Sequence, residues 1–335
     1  MMLSFLVSSI KVVNGDVYVA LFQGSSCTVS RLRGSSMETV THLACSPCLI
    51  LWGSSEGLLV SCGDALYLVT GSEVKYLLKA SRPGNWFWHA CNGGERLYVQ
   101  EYGEAPTGIY VSEDIESFKR IVTNTDLDPQ SRHFHYVSFD ERRNALVVTL
   151  GDGNLMRVAM SLDYGSSWRA LYRGPWQFVP VLIEEDKWLF GFDSGIAKGG
   201  VAVYYPDSSK WEFVFLRLKG SPMAQFYELK KLKDMYVGAL GYPEAVIVSK
   251  NINAWHMLYR SVASEQYAHR YPVSVDLVGD SVYAVIGGKL MIFDSYQIKH
   301  ALVEAPVLVK YGAYADRLRG FAFVLKRVSQ LIRYS

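Results

Sequence analysis

Two histidines stand two residues apart in Arg132-His133-Phe134-His135, and Asp152 follows seventeen residues after the second. On an extended strand, positions two apart project from the same face, so the two imidazoles would meet in one place. Two imidazoles and a carboxylate can ligate a metal or shuttle protons. They can also simply line a wet channel, bonded to water and to carbonyl oxygens. Carboxylates for paired acid–base work on a glycosidic bond are available in Glu101, Glu104, Asp152 and Asp193, at separations that a sequence does not give. Aromatic and polar residues of the kind that grip a sugar recur nearby: Trp86, Trp88, His89, Tyr102, Arg132, Trp176, Tyr242, Arg270 and Tyr271. Aromatic faces stack on sugar rings, and amides, carboxylates and guanidinium groups take the hydroxyls. The expected ligand is a carbohydrate-like or other polar small molecule, with glycan hydrolase or lyase chemistry left open.

These side chains are scattered over some two hundred residues, so they meet only if a repeated element brings many strand ends to one face. Ser161-Leu-Asp163-Tyr-Gly165-Ser-Ser-Trp168 reads as such an element, a tight turn between two strands. Asp163 can accept N–H bonds within its own turn, Gly165 supplies a positive φ, and Trp168 folds back over the hairpin. Echoes of it occur at Ser112-Glu-Asp114 with Phe118, at Asp207 with Trp211, and at Asn251 with Trp255. The closing aromatics Phe118, Trp168, Trp211 and Trp255 are 50, 43 and 44 residues apart. A period of this length with strand-like sequence between the turns indicates one supersecondary unit repeated in space.

The pattern Ser-x-Asp-x-Gly-x-x-Trp resembles the Asp-box, or BNR repeat, of sialidase-like β-propellers. The runs Leu97 to Asp114 and Arg132 to Trp168 look like consecutive blades of prokaryotic Asp-box propeller proteins, and the similarity covers roughly residues 85–260. The resemblance implies a ring whose first-strand ends and second-to-third loops share one face at the channel mouth. True sialidases of this kind carry an arginine triad, a tyrosine–glutamate nucleophile pair and an aspartate acid/base. Here the Arg-Ile-Pro segment is missing, and only Arg132 and Arg270 are well placed, so true sialidase activity is not expected.

Seven turns, from Asn14-Gly-Asp16 to Val278-Gly-Asp280, each join two apolar strand-like runs, which predicts an all-β, seven-bladed β-propeller over residues 1–311. Pro306 to Tyr311 would either latch the last blade to the first or run on as a plain connector. Residues 312–335 read as an amphipathic helix: Tyr314, Leu318, Phe321, Leu325, Val328 and Ile332 form one apolar stripe, flanked by Arg317, Arg319, Lys326, Arg327 and Arg333. Packing of that stripe on the propeller or on another subunit is expected first, and docking on an anionic membrane second.

The net charge of +2 over 335 residues excludes the field expected of a nucleic-acid binder. All five cysteines fall in the first third, and their odd number and irregular spacing argue against a disulfide-stapled secreted domain. Cys45-Ser-Pro-Cys48 has metal-ligand spacing, but no second Cys or His pair answers it, and buried strand cysteines are the expectation. Met1 to Ile10 reads as a first strand rather than a leader, which makes a cytoplasmic location the expectation. A non-catalytic scaffold for partner proteins is the alternative to small-ligand binding. No cofactor is identified.

Overall fold

A computed structural model of the chain describes residues 6–46, 48–261 and 273–334. Arg270 and Tyr271, two expected ligand contacts, lie outside the described residues. The strands arrive in antiparallel meanders. The first meander is β1 to β4 (Leu6–Val13, Asp16–Gln23, Ser26–Arg33, Ser36–Leu43), and the second is β5 to β8 (Cys48–Ser54, Gly57–Cys62, Ala65–Thr70, Glu73–Lys79). The third is β9 to β12 (Trp86–Gly93, Arg96–Tyr102, Gly108–Ser112, Lys119–Thr123), followed by one helical turn, α1 (Asn124–Leu127). The fourth is β13 to β16 (His133–Asp140, Ala145–Gly151, Met156–Ser161, Arg169–Arg173), and the fifth is β17 to β20 (Phe178–Ile183, Trp188–Phe192, Gly200–Tyr205, Lys210–Leu218). The sixth is β21 to β24 (Gln225–Leu232, Met235–Tyr242, Glu244–Asn251, Ala254–Arg260), and β25 to β27 (Ser274–Val278, Ser281–Ile286, Lys289–Phe293) complete the series. Helix α2 (Ser295–Val303), strand β28 (Leu308–Lys310) and helix α3 (Tyr314–Tyr334) follow.

The middle strands of a meander are covered on both faces by neighbouring sheets. Every residue of β14 and β15 is buried, whereas the outermost strands β8 and β16 are largely exposed. Near-continuous apolar runs such as Ala145 to Leu150 are what burial on both faces demands. First strands of the sheets line the centre, where Lys11, His89, Tyr136, Glu228, Lys230 and Asp276 surround an internal cavity of about 100 Å³. The ring closes where the first sheet meets the last. Val7 N–H donates to Gly288 O at 2.8 Å, Val12 N–H donates to Asp276 Oδ2 at 2.8 Å, and Val7, Ile10 and Val19 pack with Val285. The architecture is that of an all-β propeller.

Five small sheets stand by themselves, rather than the seven expected from the turns. The difference comes from β28. It pairs with the outer strand β20 on one side and with the outer strand β24 on the other, merging two meanders into one nine-stranded sheet. Pro306 to Tyr311 is therefore neither a latch to the first sheet nor a plain connector. The last sheet keeps three strands because the chain turns helical after Phe293. Asp294 accepts from Gln297 N–H, and Gln297 returns the bond, a capping box that starts α2 where a fourth strand would lie.

The repeated turns fall between third and fourth strands. Asp163 Oδ1 accepts from Ser161 Oγ at 2.7 Å and from Ser167 N–H at 2.8 Å, Gly165 has φ +98°, and Trp168 Nε1 donates to Gly165 O at 3.0 Å. Asp114 takes the N–H groups of Glu116 and Ser117 in the same manner. The Ser167 hydroxyl, donating to Asp163 Oδ2 at 2.6 Å, and those bonds hold both carboxyls at about 2, below the ordinary aspartate range. Asp207 differs, since it bonds Arg143 of the preceding meander at 2.8 Å.

Helix α3 does not pack its stripe on its own propeller, one of the two expected placements. Tyr314, Leu318, Phe321, Leu325 and Val328 are exposed, Tyr314 by 81%. The helix docks by its opposite face, through Ala313, Asp316 and Gly320. A side chain at Gly320 would have no room, because an added Cβ would lie 2.8 Å from Trp176 and 2.9 Å from Pro175. Arg317 lies 5.2 Å from the Phe215 ring, and Asp316 is bonded by Tyr311 and Arg319. Among the described residues, no helix is long and apolar enough to cross a membrane. The cysteines also depart from expectation: Cys27–Cys48 and Cys45–Cys62 are disulfides, and Cys91 is free. Their partners come from different strands, so spacing along the chain hides the pairing.

Candidate functional site

Strand β13 places both histidines, and a register shift between Phe134 and Tyr136 re-aims the side chain between them. His133 Nδ1 donates to Gly103 O at 2.8 Å, and His135 Nδ1 donates to Phe178 O at 3.0 Å. A carbonyl can only accept, so each ring carries its proton on Nδ1 and leaves a lone pair on Nε2. Those two Nε2 atoms face each other at 3.2 Å, and His133 Nε2 lies 3.6 Å from Asp152 Oδ2. Three electron-pair donors thus converge. Both rings are 2% exposed, not solvent-facing. Burial pushes the His133 pKa down, against the pull of the Gly103 carbonyl and Asp152, and pushes that of His135 down with help from His133.

Asp152 sits in the turn from β14 to β15. Burial opposes its ionisation. The neighbouring His135, a 2.9 Å hydrogen bond from Gln177 Nε2, and the nearby His133 and Arg132 outweigh that and hold the carboxyl below its usual range. Arg132 is 3.7 Å from Asp152 and also bonds Glu104, so Glu104 is exposed and already paired. Before Asp152 comes Gly151, where an added Cβ would lie 1.8 Å from His135 Nε2. The second histidine is thus packed flat against the β14 backbone, and only glycine leaves room for it.

An aromatic wall stands beside the donors. The Tyr102 ring lies 4.2 Å from His133, 4.8 Å from Trp86 and 4.7 Å from Trp88, between ring centres. Burial, with Asp152 and Asp193 nearby, pushes the Tyr102 hydroxyl up to about 12. Asp193 follows β18, its N–H donating to Gln177 O at 3.0 Å. Burial and the charge of Asp152 raise its carboxyl to about 7, so this group holds a proton in reserve near neutrality.

Other expected members are elsewhere. Glu101 is completely buried and accepts from Ser81, Asn85, Gly108 and Tyr110, which makes it a structural hub rather than a catalytic acid. Trp176 is buried under Gly320 of α3, 5.2 Å from Phe215, and offers no platform. His89 lines the central cavity, against Tyr136 at 3.8 Å, and its Nε2 is buried without a hydrogen-bond partner. Tyr242 is half-buried at the end of β22, opposite Gln225. The arrangement adds two residues that sequence reasoning missed. Tyr227 extends the wall at 6.1 Å from Trp88. Arg157, fully buried, bonds Gly174 O and Asn154 and lies 5.4 Å from the Phe323 ring of α3. Neither carries a local signal, since each looks like an ordinary strand residue.

No protein-family pattern matches the chain, and no curated protein resembles it in sequence. Solved structures do resemble it in shape. A GH74 enzyme of Niastella koreensis superposes with a TM-score of 0.56 at 11% identity, over 90% of this chain and 60% of that one. The extracellular domain of BT4673, a putative one-component system of B. thetaiotaomicron, gives 0.52 at 8% identity, over 86% of this chain and 38% of the other. Saccharomyces cerevisiae Sqt1 gives 0.53 at 11%, over 92% and 87%. The chain therefore spans less than two thirds of both of the bacterial proteins, 60% of the first and 38% of the second. Identities this low carry the fold alone: the chain is a β-propeller by architecture.

Proposed function

We propose that the channel mouth binds a polar, carbohydrate-like small molecule through a divalent cation held by His133, His135 and Asp152. The observation that carries this reading is the pair of Nε2 lone pairs aimed at each other at 3.2 Å in a buried setting. Without a cation between them, two buried acceptors face each other unpaired, which costs free energy. Metal–nitrogen bonds of 2.0–2.1 Å in a tetrahedron give a nitrogen–nitrogen edge of about 3.3 Å, close to what is seen. Each ligating ring is already oriented by a carbonyl on its other nitrogen, as such ligands generally are. Three protein donors leave coordination positions free for ligand oxygens, the arrangement of catalytic rather than structural sites. Tyr102 and Trp86 then offer ring faces, Arg132 a cation for an acidic ligand, and Asp193 a proton for hydrolysis or elimination.

In the same reading, the four related turns are Asp-boxes, and the two meanders joined by β28 are separate blades of a seven-membered ring. Calorimetry on the oxidised protein tests the function. Mn²⁺ should bind with one site per chain, and at least one member of a panel of sugar acids and oligosaccharides should bind only in its presence. No Mn²⁺ binding, or ligand binding indifferent to a chelator, would overturn it.

A second reading, a platform for another surface, is favoured by the exposed stripe on α3. We infer that the surface it meets is an anionic lipid bilayer. Asp316, the only acid of the helix, is buried and paired with Arg319, so two copies would bring Arg317 and Lys326 against their own kind. Vesicles with anionic lipid should retain the protein and neutral ones should not. A salt-insensitive dimer in place of vesicle binding would end this reading.

A further inference from the structure

Four of the five cysteines converge at the seam between the first two sheets. Cys27 is the second residue of β3, Cys48 opens β5, Cys62 ends β6 opposite Cys48, and Cys45 lies in the link between β4 and β5. The sulfurs of Cys27, Cys48 and Cys62 all lie within 4.8 Å of one another, and Cys45 is bonded to Cys62. The two disulfides are thus one cluster of four sulfurs rather than two separate staples. A zinc ion with four thiolates at 2.3 Å has sulfur–sulfur edges of about 3.8 Å, within the span the cluster already occupies. Cys45 and Cys48 supply the two-residue spacing of a zinc knuckle. The second pair that the sequence does not show is Cys27 with Cys62, delivered by strand ends of adjacent sheets. Cys27, Cys48 and Cys62 are buried, and Leu43, Ile50 and Val60 pack around them, a closed setting of the kind structural zinc takes.

We propose that Cys27, Cys45, Cys48 and Cys62 form one redox-dependent centre, with two disulfides when oxidised and a single zinc held by four thiolates when reduced. A phosphine and water reduce both disulfides. Each disulfide takes two electrons and two protons, and the phosphorus becomes a phosphine oxide with oxygen from water. Zinc then displaces the four thiol protons and joins the four sulfurs. Either state ties the first sheet to the second, so the seam is held under reducing and oxidising conditions alike.

The test uses the full chain, reduced with a phosphine, loaded with Zn²⁺ and freed of excess metal, in a background carrying His133→Ala and His135→Ala so that the mouth cannot contribute. One zinc per chain is expected, with an X-ray absorption shell of four sulfurs at about 2.3 Å. Reaction with a thiol reagent in the folded state should be suppressed by zinc and restored by a chelator. Cys45→Ser should lose the metal. Should that variant not fold, the absorption shell of the chain with all its cysteines decides alone. A shell of nitrogen and oxygen atoms, or no more metal than in a protein blank although the four thiols are free, would overturn the proposal.

Discussion

Gly151→Ala is expected to weaken cation binding at the channel mouth by about 10–100-fold, the scale of losing a ligand's orientation. The added methyl would sit 1.8 Å from His135 Nε2, on the atom that points at the metal. The backbone of β14 is held on both edges by β13 and β15, so the imidazole must give way, breaking its bond to Phe178 O. Gly151 does not adopt a left-handed φ, which leaves sterics as the cause. Overpacking of this sort costs about 1–3 kcal/mol of stability, so melting curves should accompany Mn²⁺ titrations. His135→Ala makes the comparison, losing the ligand and leaving the Phe178 carbonyl without its donor. If Gly151→Ala binds Mn²⁺ as the unaltered protein does, His135 is not a ligand.

Trp255→Ala is expected to remove about 3–5 kcal/mol, a large share of the usual 5–15 kcal/mol that holds a domain folded. Trp255 is 1% exposed and packs on Phe226 and Tyr236 at 5.4 and 6.3 Å. Its carbonyl also receives Val307 N–H at 2.8 Å, next to the point where β28 crosses between the two meanders. Truncation there opens a cavity and loosens the one strand that the two meanders share. Trp168→Ala, at the equivalent place in a sheet with no such crossing and only half-buried, should cost clearly less. Denaturant midpoints of the two variants measure the difference, and equal losses would show that β28 contributes nothing.

Period and turn chemistry are local, so the meanders and the same-face pairing of His133 and His135 can be read along the chain. What surrounds those histidines cannot. Their carbonyl partners, Gly103 and Phe178, come from the neighbouring sheets on either side. Trp86 and Trp176 are alike by sequence, each an aromatic at the start of a first strand. One borders the mouth while the other is capped by α3, and only the landing point of Gly320 separates their fates. Glu101 looks like any carboxylate near a loop until its ring of donors is seen. The sulfur cluster escapes a linear reading for the same reason, since Cys27 and Cys62 reach Cys45 and Cys48 through sheet packing. By contrast, Asp294 and Gln297 carry a helix start in plain sequence, the spacing of a capping box.

The place of β28 has a consequence for how the chain is made. Its neighbours β20 and β24 leave the ribosome first, and Leu308 follows Leu218 by some ninety residues. At 5–20 residues per second, the outer edge of β20 waits roughly 5–20 s for its partner. An unpaired edge is a template for strands of other molecules, and here it is set in the middle of the ring rather than at its seam. A nascent or truncated chain ending before Leu308 is therefore vulnerable to backbone pairing between molecules even when every apolar core it encodes is already packed.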